Sequence, residues 1–86
     1  MSECPLCDGT VGIVLFENER WRVVMGMDGP LFVLKAHRAG LTRDERLEAG
    51  AIRVGLIGRG AIPDGCWRVD REKFPDHWNA TLEPRT

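Results

Sequence analysis

Cys4 and Cys7 are separated by two residues in Cys4-Pro5-Leu6-Cys7, and the chain holds only two histidines, His37 and His77. Two thiolates at that spacing can grip one metal ion, and two imidazoles from elsewhere in the chain would complete a tetrahedral Cys2His2 shell around zinc. A closed shell of four protein ligands has no open position, so such an ion is structural rather than catalytic. The competing readings are a redox pair or two incidental thiols for the cysteines, and a hydrogen-bonded strand residue for each histidine. Cys66 lies between Gly65 and Trp67. It reads as a small buried hydrophobe rather than as a further ligand.

The rest of the chain must hold those four residues together. Its 86 residues make one domain spanning 1–86. A chain of this size buries only about 60–65% of its unfolded surface, so a metal cross-link is useful. Three cysteines make an odd set for a disulfide framework. The N-terminus, Met1-Ser2-Glu3-Cys4, lacks a charged-then-apolar leader. Both features point to a reducing, cytoplasmic setting, where paired thiols more often mean metal than disulfide. No apolar run approaches the roughly 18 residues that would span a bilayer, so no membrane association is expected. A net charge of −1 does not mark an obligate nucleic-acid binder. The basic residues are nearly all Arg, which reads as coding bias rather than as a phosphate-binding signal.

The hydrophobic pattern gives the positioning elements. Gly12 to Phe16 and Arg20 to Met25, joined by polar Glu17-Asn18-Glu19, read as a β-hairpin. Met27-Asp28-Gly29-Pro30 is a turn cluster. Leu31 to His37 reads as a third strand buried on both faces. Thr42-Arg43-Asp44-Glu45 has the form of a capping box. Leu47, Ala51, Val54 and Ile57 or Gly58 then recur at helical spacing, predicting an amphipathic helix over about 43–59 that ends near Gly60. Gly50, Gly55 and Gly58 inside it predict close packing on a sheet, or an early break. Pro63-Asp64-Gly65 is a turn, Cys66 to Val69 a short strand, and His77 to Leu82 a last strand ended by Pro84. This order predicts an α+β fold: a small antiparallel sheet with one packed helix and an N-terminal zinc knuckle. The alternative is a small zinc ribbon with an appended helix.

In the last strand, His77, Asn79 and Thr81 share one face, while Trp78, Ala80 and Leu82 share the other. With Pro84-Arg85 following, the segment resembles the signature of the histidine triad (HIT) superfamily, His-x-His-x-His with Pro-Arg a little further on. That superfamily includes small nucleotide hydrolases and the related galactose-1-phosphate uridylyltransferases. Its zinc-containing branch carries an N-terminal Cys-x-x-Cys, a histidine near the end of the central strand, and the first triad histidine as fourth ligand. Cys4, Cys7, Lys35-Ala36-His37 and His77 match in that order. Glu17 to Val23 resembles the opening hairpin. Gly29 to His37, followed by Leu41-Thr42 and a helix, resembles the next segment. The resemblance covers most of the chain and implies a shortened HIT-like fold with structural zinc on Cys4, Cys7, His37 and His77.

The departures fall on the chemistry. The family's nucleophilic histidine is matched by Asn79, and its phosphate-contacting histidine by Thr81. A carboxamide has no basic nitrogen with which to attack phosphorus or carry a proton near neutral pH. Asp70-Arg71-Glu72-Lys73 stands where the family has a Gly- and Asn-containing loop. The resulting expectation is a catalytically degenerate domain with Asn79 and Thr81 as remnant ligand-binding residues. It would bind a nucleotide or phosphorylated ligand, or a protein partner, and the family suggests a homodimer. An active HIT-type hydrolase or transferase would need another nucleophile. A nucleic-acid-binding zinc module is a further alternative, since Arg20 and Arg22 flank Trp21 and Arg68 follows Trp67. It is less favoured because Glu17, Glu19, Asp70 and Glu72 dilute any positive stripe, and Trp21 and Trp67 are expected in the core.

Overall fold

A computed structural model describes residues 13–27, 29–72 and 76–84. The elements are β1 (Ile13–Glu17), β2 (Trp21–Gly26), β3 (Gly29–Leu34), α1 (Arg43–Gly58), β4 (Gly65–Asp70) and β5 (Asn79–Pro84). They form one five-stranded sheet in the order β1-β2-β3-β5-β4, with every neighbouring pair antiparallel. The fold is therefore α+β, with a single helix among the described residues. The expected N-terminal knuckle, with Cys4 and Cys7, lies outside them.

Short-range chemistry explains the connections. Asn18 Oδ1 accepts from the backbone N–H groups of Arg20 (2.9 Å) and Trp21 (2.7 Å), closing the β1–β2 turn as an Asx side chain does. Gly29 sits at φ 124°, and a Cβ there would stand 3.1 Å from the Leu82 carbonyl oxygen. Only glycine meets both conditions comfortably. At Gly65 a Cβ would come within 2.0 Å of the Glu83 carbonyl oxygen, so β4 and β5 can pair there only without a side chain.

Register decides which side chains face the helix. Trp21 opposes Leu34, Val23 opposes Phe32, Phe32 opposes Ala80 and Trp67 opposes Leu82. Most of these join Ala49 and Leu56 of α1 and Ile62 in one buried cluster, with Trp67 and Trp78 packed against it. The alternate residues Val24, Leu31, Val33, Asn79 and Thr81 point to the other face and are also buried. β3 is therefore buried on both faces as expected.

Several boundaries and faces differ from the sequence reading. β3 ends at Leu34, and Lys35 to His37 form a bend. β5 starts at Asn79, two residues later than predicted, and includes Pro84. Thr42 and Glu45 make the full capping box, and Gly60 (φ 74°) ends the helix with Gly60 N–H donating to Ile57 O and Ala61 N–H to Leu56 O. Those two bonds are a Schellman closure. The core-facing stripe, however, is Glu45, Ala49, Ile52 and Leu56, not Leu47, Ala51 and Val54. Leu47 and Val54 are 64% and 65% exposed. The helix carries apolar residues on two faces, and periodicity alone does not choose between them. Gly50, Gly55 and Gly58 meet nothing within 4 Å of a built Cβ, so neither close packing nor a break explains them.

Candidate metal centre

His37 and His77 come together at one end of the sheet, their ring centroids 4.3 Å apart. Neither lies in a strand. His37 sits in the bend after β3, and His77 just before β5. Main-chain bonds lace these two segments. Leu34 N–H donates to Trp78 O (2.9 Å), Trp78 N–H to Arg38 O (3.0 Å), and Arg38 N–H to Ala36 O (2.9 Å) across His37. The histidine-bearing bend is thus tied to the histidine-bearing lead-in from both sides.

His77 is 3% exposed, and its Nδ1 lies 2.8 Å from the Leu34 carbonyl oxygen. A carbonyl can only accept, so Nδ1 carries the hydrogen and the neutral ring keeps its lone pair on Nε2. Metal-binding histidines commonly donate their second nitrogen to a carbonyl or carboxylate in this way, which fixes tautomer and orientation. His37 is exposed. A separation of 4.3 Å between rings is within reach of one ion with Zn–N bonds of about 2.0–2.1 Å. The donor chemistry of the two imidazoles therefore fits a zinc site. No group of three metal-binding side chains occurs among the described residues. Two of the four expected ligands, Cys4 and Cys7, lie outside them.

The bend has a second anchor. Arg38, next to His37, makes a two-pronged ion pair with Glu45 in the first turn of α1. Glu45 Oε1 also accepts from Thr42 N–H at 2.8 Å. The Arg38 guanidinium, helped by the Thr42 N–H and opposed by burial, lowers the Glu45 carboxyl to about 2. A carboxylate on the core-facing side of a helix is explained by this pairing. The sequence showed it as the closing glutamate of a capping box, without its partner Arg38.

Asn79 and Thr81 project from β5 on the face away from α1, opposite Val33 and Leu31 of β3. Asn79 is fully buried and Thr81 nearly so. The Asn79 carboxamide donates to Asp70 O (3.0 Å) and His77 O (3.2 Å), joining the end of β4 to the lead-in of β5. His77 is near Asn79 in space as in sequence, but it belongs to the bend cluster. Cys66 is exposed rather than buried. It pairs with Glu83 on the face opposite Trp67, which turns inward in its place.

The hairpin does not present a base-stacking platform. Trp21 is fully buried, Arg22 and Lys35 both bind Glu17, and Arg20 reaches Glu48. Lys35 and Arg22 together hold the Glu17 carboxyl at about 2. No helix among the described residues is long and apolar enough to cross a membrane. No protein-family model, no curated protein and no solved structure matches the chain.

Proposed function

We propose that the chain is a zinc-stabilised, HIT-like domain that has lost the family's nucleotidyl chemistry and serves as a binding module. The supporting observation is the meeting of His37 and His77 at 4.3 Å, with His77 Nδ1 directed to a backbone carbonyl. Cys4 and Cys7 would supply the other two ligands as thiolates, and both imidazoles would bind in neutral form. The ion would supply a cross-link between the N-terminus, the bend after β3 and the lead-in to β5.

Loss of chemistry is read from Asn79 and Thr81. Neither side chain has a basic nitrogen, and the Asn79 amide already bonds to two backbone carbonyls. The module would then act by binding a nucleotide or phosphorylated ligand, or a protein partner.

Metal analysis of the purified protein tests this reading. About one zinc per chain is expected, lost with folding in Cys4→Ser and His77→Ala. A well-folded chain without metal would contradict it.

A further inference from the structure

A cleft of about 360 Å³ opens on the helix side of the sheet, between the first half of α1, β4 and the lead-in to β5. Leu41, Ala49 and Val69 give it apolar lining. Two half-buried tryptophans, Trp67 and Trp78, and two exposed arginines, Arg46 and Arg71, complete it.

The indoles are held in place. Trp78 meets Trp21 edge-to-face at 5.6 Å and Trp67 at 6.2 Å, and Trp67 meets Phe32 at 4.5 Å. Trp21 and Phe32 are fully buried, so the half-exposed rings stand on a fixed aromatic base. Arg53 lies over Trp67, 5.5 Å from its centroid, with Nη1 bonded to Gly65 O at 2.8 Å. That adds a cation–π contact and a third positive charge beside the cleft.

Five described basic residues, Arg20, Arg22, Lys35, Arg38 and Arg68, are paired with carboxylates. Arg43, Arg46, Arg53, Arg59 and Arg71 have no carboxylate partner among the described residues, and three of these, Arg46, Arg53 and Arg71, gather at this cleft. No described acidic residue lines the cleft. Rigid indoles beside uncompensated guanidinium groups suit a planar aromatic ligand that carries an anionic group. The volume is at the lower end of the roughly 300–1,000 Å³ typical of small-molecule sites, which favours one nucleotide over a larger ligand.

We propose that this cleft binds a free nucleoside monophosphate, with its base against Trp67 and Trp78 and its phosphate on Arg46 and Arg71. The inference names the ligand site that the proposed binding function left open. It places that site on the face opposite the buried Asn79 and Thr81.

The test titrates AMP, GMP, CMP and UMP into the folded protein at low salt, after its metal content and circular dichroism are recorded. Tryptophan fluorescence gives the affinity. The indole N–H resonances of Trp67 and Trp78 report on the cleft, with Trp21 as the internal reference. Saturable binding of at least one nucleotide, with shifts at Trp67 and Trp78, is expected. The Arg46→Gln, Arg71→Gln double variant should bind at least about tenfold more weakly. Removing the phosphate, by using the free nucleoside, should weaken binding similarly. No saturable response to any of the four, binding unchanged in the double variant, or a response only to a single-stranded oligonucleotide would overturn the proposal. Zinc-loaded protein that ignores nucleotides removes the cleft alone. Metal-free folded protein that binds them removes the zinc reading alone.

Discussion

Asn79 donates through its carboxamide to Asp70 O and His77 O from a fully buried position. Truncation to Ala would strip a partner from each of those carbonyls. Leaving buried polar groups unpaired costs about 1–3 kcal/mol. Urea denaturation of Asn79→Ala should show a stability loss in that range, and an unchanged midpoint would remove the structural role. The sequence displayed the polar alternation of His77, Asn79 and Thr81 but not what their atoms bind. Hydrogen-bond partners come from β4 and the lead-in to β5, which meet only in the folded chain. Cys66 was legible in principle: once Trp67 turns inward, strand alternation sends its neighbour outward. The apolar character of the residue hid that.

Helix α1 is set by local chemistry at its ends and by tertiary packing along its length. Its ends were readable, because the Thr42–Glu45 capping box and the Gly60 closure are local chemistry. Its buried face was not, because Ala49, Ile52 and Leu56 compete with Leu47, Ala51 and Val54 for the same period. Gly55 is an exposed helix-interior glycine with open space around it. Gly55→Ala should therefore stabilise the protein by about 0.5–1 kcal/mol, seen as a raised thermal midpoint. A lowered midpoint would mean that the site is occupied. The helix start also predicts acid behaviour. The Glu45 carboxyl is lowered from 4.5 to about 2 by Arg38 first and Thr42 next. A lowered folded value means its contribution is complete above the unfolded value and is lost as pH falls through about 2. Glu45→Gln keeps a capping side chain but removes the charge. Its stability deficit, measured by denaturation at a series of pH values, should be largest above pH 4.5 and shrink toward pH 2. A deficit independent of pH would show that the ion pair contributes nothing.

For the whole molecule, the order of hairpin, strand, helix and two strands was visible in the sequence and matches the sheet. What was not visible is how separate segments converge. The sequence drew attention to arginines adjacent to tryptophans, Arg20 and Arg22 beside Trp21, and Arg68 beside Trp67. In the fold, Arg68 turns to Glu83, and the arginines near the half-buried indoles come from α1 and from the bend just after β4. Chain neighbours on a strand face opposite ways, so sequence adjacency misleads there. The two histidines show the opposite case. They are far apart in the chain, and the lacing of Leu34, Arg38 and Trp78 brings them to 4.3 Å. A metal at that junction would cross-link three separate segments of a small domain. Chelation at neutral pH should then cost much of the folded signal, since binding energy at a structural site is folding energy. Protein that keeps its circular dichroism in excess chelator, after the metal is shown to be gone, would argue against that.

X-ray absorption at the zinc edge reads the donor set directly. Two sulfur scatterers at about 2.3 Å and two imidazole nitrogens at about 2.0–2.1 Å are expected, with one sulfur lost in Cys7→Ser and one imidazole in His37→Ala. A spectrum with no sulfur, or with an open position filled by water, would contradict that donor set.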